Sequence, residues 1–289
     1  MEEYVEAALG RGRSAFSHGA PIRYYDSAPE AALPPLTLVH GKGAHAMWWH
    51  GVVPFLTSVF RCLTVDLSGH GDSGHRTTYN MGLWAADVVA VCDAAGVRSS
   101  VLVGHSRGGR VCLEYAALYR ERTEGVVLID TLLLWDHRLP PSERRGQVGD
   151  GRTYKSRDEL LGRFRLIPEQ PEPERATVRP LAQYGAHHSP EGWMWKHDPQ
   201  ATRVLDSEFE WPASLLADLP AAYIYGIQAA LATQEFVAAL RANAPKMAFH
   251  AVEGAHHHVI LDAPAMTANL IARVASHMTA GPGSAAVTA

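Results

Sequence analysis

Gly104-His105-Ser106-Arg107-Gly108-Gly109 follows the apolar run Val101-Leu102-Val103 and leads into Arg110-Val111-Cys112-Leu113-Glu114-Tyr115-Ala116-Ala117-Leu118. This pattern predicts a strand, a tight turn and a helix, with Ser106 at the apex. So sharp a turn holds its central residue in a strained backbone conformation, and its neighbours must be small. Gly104 and Gly108 meet that need. The serine hydroxyl is then displayed at the top of a sheet, beside the positive end of a helix.

Outward from this turn, short apolar runs alternate with helical patterns. That rhythm predicts an α/β fold with a mostly parallel central sheet flanked by helices on both faces. Pro21-Ile22-Arg23-Tyr24-Tyr25 alternates like an early edge strand, and Leu36-Thr37-Leu38-Val39 reads as a buried strand ending at His40-Gly41. Further strands are expected at Arg61 to Asp66, Gly125 to Asp130, Ala221 to Tyr225 and Met247 to Ala251. Helical patterns run from about Leu83 to Ala95 and from Ala263 to Met278. Between Thr131 and about Leu216 the rhythm stops, in a stretch rich in Pro, Arg, Glu, His and Trp. A structureless loop of that length is improbable inside a compact domain, so an inserted, mainly helical cap is expected over 132–215. The core then comprises 1–131 and 216–279, and residues 280–289 read as a disordered tail.

The 289 residues suit one such domain, and 47% hydrophobic content against 19% charged content supplies an ample core. A formal net charge of −4 gives no electrostatic reason to expect nucleic acid or an anionic membrane as partner. Cys62, Cys92 and Cys112 all lie in apolar segments, and their odd number reads as reduced thiols in a reducing compartment. Met1-Glu2-Glu3-Tyr4 resembles no leader, and no run approaches the ~18 apolar residues of a membrane span. A cytoplasmic protein is the expectation, and a homodimer is left open.

A serine hydroxyl needs a base to take its proton and a third group to orient that base. Gly254-Ala255-His256-His257-His258-Val259 follows the last expected strand, where a loop can reach back over the sheet edge. Together with His40-Gly41, Asp66-Leu67-Ser68-Gly69-His70-Gly71-Asp72-Ser73-Gly74 and Leu261-Asp262-Ala263-Pro264, these motifs resemble the α/β-hydrolase superfamily across nearly the whole core. The resemblance places the catalytic histidine five positions before Asp262, which selects His257 over His256 and His258. It also implies that the backbone amides of Arg107 and Lys42 stabilise the oxyanion, with Gly41 and Gly43 keeping that loop small.

The third member departs from the family pattern. The loop Gly226-Ile227-Gln228-Ala229-Ala230-Leu231 contains no carboxylate, and Ala229 stands where the family most often has its acid. Some relatives use the end of the strand after the nucleophile helix, which points here to Asp130. Asp218, Asp198 or a Ser–His pair without an acid remain alternatives.

Sixteen histidines raise the question of a metal. Neighbouring histidines cannot all face one ion, and zinc-type spacings are absent, so no metal and no cofactor are expected. His40, Asp66 and Asp72 read as loop-fixing residues, and the glycines from Gly69 to Gly74 do not match a nucleotide-binding spacing. Trp48 and Trp49 can line the active-site wall or pack beneath it. Trp49, Gly41, Trp193 and Trp195 are taken as candidate substrate contacts, suited to a hydrophobic small molecule. The function expected is a serine hydrolase acting on a carboxylic ester or lactone, an acid at Asp130 beneath such a cap being compatible with lactonases of the family. A C–C bond hydrolase or lyase using the same residues is the rival enzyme class, and a ligand-binding protein on a retired hydrolase core the non-enzymatic one.

Overall fold

A computed structural model describes residues 1–133, 151–171, 173–204 and 215–280. The strands are β1 (Arg11–Ser17), β2 (Ala20–Asp26), β3 (Pro35–Val39), β4 (Arg61–Val65), β5 (Ser100–His105), β6 (Thr123–Ile129), β7 (Ala186–Ser189), β8 (Gly192–Trp195), β9 (Ala221–Gly226) and β10 (Ala248–Val252). Eight of them form one sheet in the order β1-β2-β4-β3-β5-β6-β9-β10. The pairs β1–β2 and β2–β4 are antiparallel, and every other neighbouring pair is parallel. The edge is therefore β1, and Pro21 to Tyr25 belongs to a strand paired on both sides. This corrects the expectation of an edge strand there. Polar β1, with Phe16 72% exposed, carries too little apolar pattern to announce itself.

The helices are α1 (Glu2–Leu9), α2 (Met81–Ala94), α3 (Arg107–Leu118), α4 (Arg157–Leu161), α5 (Arg175–Gly185), α6 (Pro199–Arg203), α7 (Leu215–Asp218), α8 (Gln234–Asn243), α9 (Val259–Asp262) and α10 (Pro264–Thr279). Asn80 caps α2 by accepting from the Leu83 amide at 2.8 Å, and Pro264 opens α10 where a missing N–H costs nothing. Side chains of the central strands are shared between two cores. Leu102, Val126 and Leu128 pack with α2, α3 and α8, whereas Val101, Val103, Val127 and Ile129 pack with α1 and α10. Burial on both faces is why these strands read as unbroken apolar runs rather than alternating ones.

Between β6 and β9 the described residues carry α4, α5, α6, α7 and the hairpin of β7 and β8. The insertion is thus not helical throughout. Residues 134–150 and 205–214 of the expected cap, and 281–289 of the expected tail, lie outside the described residues. Cys62, Cys92 and Cys112 are buried free thiols. Among the described residues, no helix is long and apolar enough to cross a membrane.

Candidate active site

The turn after β5 is as tight as its glycines require. Ser106 has φ 54° and ψ −123°, a conformation most side-chain-bearing residues avoid. A Cβ at Gly104 would come within 2.4 Å of the Gly108 carbonyl oxygen, and one at Gly108 within 2.3 Å of the Val39 carbonyl oxygen. At Gly109 the obstacle is a side chain, a Cβ there meeting Thr131 Oγ1 at 2.0 Å. The Ser106 amide donates to the Ile129 carbonyl at 2.9 Å, which pins the turn to the end of β6.

Strands β5 and β6 pair in register with His105 opposite Ile129, so Ser106 and Asp130 emerge side by side. The structure brings His257 between them. Ser106 Oγ lies 3.1 Å from His257 Nε2, and His257 Nδ1–H donates to Asp130 Oδ1 at 2.8 Å. Asp130 Oδ2 accepts the Gly226 amide at 3.2 Å. Burial pushes the Asp130 carboxyl up, while the hydrogen bond from His257 and the Gly226 amide hold it down. The alternative acids are committed elsewhere. Asp198 accepts from Tyr79 Oη at 2.7 Å and from the Gln200 amide at 2.8 Å, and Asp218 is exposed beside Lys246 at 3.7 Å.

Arg107 and Lys42 border the same chamber as Ser106, with Gly41. The Arg107 amide opens α3, at the positive end of that helix. A Cβ at Gly41 would stand 3.2 Å from Ser106 Cβ, so the loop lies against Ser106. His40 fixes this loop: Nδ1–H donates to the Gly41 carbonyl at 2.8 Å, and Nε2 accepts the Leu67 amide at 3.1 Å. Burial lowers His40 to about 4, consistent with a neutral ring in that role. Asp66 accepts from the amides of Ala46 (2.6 Å) and Asp72 (2.9 Å) and from Tyr184 Oη (2.6 Å), and burial raises it to about 6.

Two candidate substrate contacts need correction. Trp49 is fully buried beneath the loop, and it is Trp48 that lines the chamber. Consecutive residues of a 3₁₀ turn point to different sides, and the sequence could not say which ring faced outward. Trp193 lines neither this chamber nor the one that adjoins it. It stacks edge-on with His188 at 5.2 Å and lies under Arg157 at 5.8 Å. Trp195 lines the second chamber.

The chamber beside Ser106 measures about 90 Å³, and its walls include Ala44, Trp48, Leu132, Ile167 and Leu231. His105, Arg110, Pro168 and His258 line it too; of the two histidines, His105 was given no role from sequence and His258 was set aside in favour of His257. His105 Nε2–H donates to the His257 carbonyl at 2.9 Å, holding the loop that carries His257, and burial lowers its pKa to about 3. Gln170 clamps the same loop from the insertion, accepting the His258 amide at 3.0 Å and donating to Asp262 Oδ1 at 2.9 Å. A partner 88 positions away leaves no local signal.

His256 turns aside to Asp262, but one ring nitrogen from each of His105, His257 and His258 lies within 4.8 Å of the others. The three consecutive histidines thus do not all face one point, as their adjacency implies, but two of them converge there with His105, which lies 152 positions before His257. An ion held there would compete with Asp130 or Ser106 for His257.

The Arg107 side chain has a separate role. Its guanidinium donates to the carbonyls of Ala201 (3.0 Å) and Val204 (2.9 Å), tying α6 and the residue after it to the nucleophile helix.

A mostly parallel sheet that displays a serine at a glycine-lined strand–helix turn is the frame of a large class of hydrolases. Residues 34–264 match the alpha/beta hydrolase fold family, and the chain belongs to it. The chain is similar to a serine hydrolase-like protein of Danio rerio, 36% identical over 137 residues (45% of this chain, 42% of that protein). It is also similar to the pimeloyl-[acyl-carrier protein] methyl ester esterase of Edwardsiella ictaluri (strain 93-146), 33% identical over 94 residues (32% of this chain, 35% of that protein). In both cases the chain spans less than half the length of the relative. Among solved structures, E-2-(acetamidomethylene)succinate hydrolase superposes with a TM-score of 0.78 at 21% identity, covering 91% of this chain and 98% of that one. At that identity the likeness speaks for the fold.

Proposed function

We propose that the chain is a serine hydrolase that cleaves a carboxylic ester or lactone of a small molecule through an acyl-enzyme. The observation that carries this reading is the chain of hydrogen bonds Ser106 Oγ–His257 Nε2 (3.1 Å) and His257 Nδ1–Asp130 Oδ1 (2.8 Å) at the wall of a partly apolar chamber. In the first step Ser106 Oγ attacks the carbonyl carbon as His257 Nε2 takes the hydroxyl proton. Asp130 keeps the tautomer with its proton on Nδ1 and stabilises the imidazolium. The developing oxyanion is assigned to the amides of Lys42 and Arg107, each such donor being worth roughly 3 kcal/mol. His257 then gives its proton to the departing alkoxide, and a water attacks the acyl group by the same route in reverse. A lactone follows the same steps, with the alcohol remaining attached to the acyl chain. The methyl ester esterase among the relatives works on an ester bond by its name, which supports the same bond here.

The test is a panel of activated aryl esters and lactones, with wild type, Ser106→Ala, His257→Ala and Asp130→Asn compared in ¹⁸O-labelled water. Turnover that disappears with Ser106→Ala, with one solvent oxygen in the acid product, is the expected result. Turnover without solvent oxygen would assign a lyase instead.

A further inference from the structure

A second chamber of about 240 Å³ adjoins the catalytic one, and Lys42, Ala44, Trp48 and Ile167 are common to both walls. Its chemistry is different. Arg163, Arg165 and Lys196 join Lys42 around it, and among the described residues that line it there is no carboxylate. Lys196 is already engaged, its Nζ 2.5 Å from Asp72 Oδ1 and 4.1 Å from the Tyr184 ring centre. The arginines are not so neutralised. Arg165 Nη1 donates to the carbonyls of Gly162 (3.0 Å) and Phe164 (2.6 Å), which orients the guanidinium and leaves its charge unpaired. The Arg163 side chain has no hydrogen-bond or ion-pair partner among the described residues. His45, also in the wall, adds no charge: its Nε2–H donates to the Leu181 carbonyl at 3.1 Å, and burial holds its pKa well below the ordinary value.

We propose that this second chamber is an anion-binding annex of the active site, so that the substrate is an acyl compound whose far end carries a carboxylate or a phosphate. The apolar walls of the first chamber take the acyl chain beside Ser106, and Lys42, Arg163 and Arg165 face its anionic end. Guanidinium groups suit either oxyanion, because their planar donors match both. The tail is placed by attachment of the acyl carbon to Ser106, and in that respect the inference rests on the ester reading above.

The experiment compares three aryl esters of equal chain length: 4-nitrophenyl hexanoate, its ω-carboxylate analogue 4-nitrophenyl hydrogen adipate, and 4-nitrophenyl 6-phosphooxyhexanoate. In wild type, kcat/KM for at least one anionic ester is expected to exceed that for the hexanoate by tenfold or more, and the preferred ester names the anion. That ratio should collapse to within threefold of unity in Arg163→Gln/Arg165→Gln. In wild type it should also fall several-fold between 0.02 and 0.5 M salt, as about 20 Å of screening length shortens to about 4 Å. The salt series decides the matter if the double variant fails to fold. Hydrolysis of all three esters at similar rates, with no salt effect on the ratio, overturns the annex and leaves the ester reading standing. Where none of the three is cleaved, the ester reading fails, and calorimetric titration of Ser106→Ala with monomethyl adipate and methyl hexanoate tests the annex alone. Tighter binding of the adipate upholds it, and equal binding overturns it.

Discussion

Strands β6 and β9 are parallel neighbours, with Ile129 paired to Ile224 and β9 running two residues further, and they finish differently. The first closes on Asp130, whose carboxylate reaches His257. The second closes on Gly226, which brings no side chain and gives its amide to the same carboxylate at 3.2 Å. A Cβ at Gly226 would meet the Ala255 and His256 carbonyl oxygens at 2.4 Å, so this strand end is pressed against the histidine loop. One strand end thus supplies the carboxylate, and the other supplies a donor to it and a seat for the histidine loop. The difference teaches that, where the strand end beside the histidine loop carries no acid, its neighbour can supply the carboxylate while the bare end leaves room and offers a hydrogen bond.

The largest expected effect attacks the β6 side. Asp130→Asn preserves volume but no longer fixes the Nδ1–H tautomer or stabilises the imidazolium. Its kcat/KM on an activated ester should fall by about 10⁴. Circular dichroism should show an unchanged fold, and turnover within tenfold of wild type would move the orienting role away from β6.

Next comes the neutrality of the imidazoles around this end of the sheet. Burial lowers His40, His45, His70, His105 and His258 below the ordinary 6.5, and all five are buried. A folded state that refuses protons the unfolded chain accepts is fully stable above about pH 6.5 and loses stability as pH falls toward 4. Asp66, raised to about 6, and Asp130, also raised, act in the opposite sense: their contribution is present at low pH and lost as pH rises. Five lowered histidines outnumber two raised carboxyls, so the net effect is a loss of stability as pH falls below about 6.5. Urea midpoints measured between pH 7 and 4.5 should therefore drop steeply with acid. A flat profile would mean that the histidines are solvated.

The insertion leaves from the β6 end and returns to β9, and near α6 it is fastened to the core by Arg107 as well as by the Tyr79–Asp198 bond. Arg107→Ala keeps the backbone amide but strands two carbonyls. It should cost about 2–3 kcal/mol by denaturant unfolding, and raise KM more than it lowers kcat. A fall in kcat alone would mean that the guanidinium acts at the nucleophile rather than on the insertion.

How much of this contrast could be read from sequence depends on distance along the chain. The serine turn was legible because sterics act between adjacent residues, and the parallel strands because both faces are buried. His257 and Asp130 were singled out by a family pattern and by a gap in it, and the structure brings both to Ser106. The edge strand β1 and the hairpin of β7 and β8 were missed, being polar or only half-buried. Trp48 could not be told from Trp49, nor could the inward turn of His258 be told from the outward turn of His256. Those choices are made by packing partners far away, such as Gln170 for the histidine loop.

The smallest effect is the most direct test of interchangeability between the two strand ends. Ala229 lies in the loop after β9, 7% exposed, with its amide donating to the Gly226 carbonyl at 3.1 Å. In the Asp130→Asn background, Ala229→Asp should return about tenfold of the lost kcat/KM, close to 1.4 kcal/mol, because a carboxylate would again stand on the Nδ1 side of His257. In the wild-type background the same change should instead destabilise the fold, since it buries a second carboxylate near Asp130 and like charges in such a site cannot both ionise cheaply. Rescue in the first background with destabilisation in the second would show that the two strand ends address one imidazole. Failure of rescue with a folded protein would show that the β9 loop, closed down on Gly226, no longer has the reach.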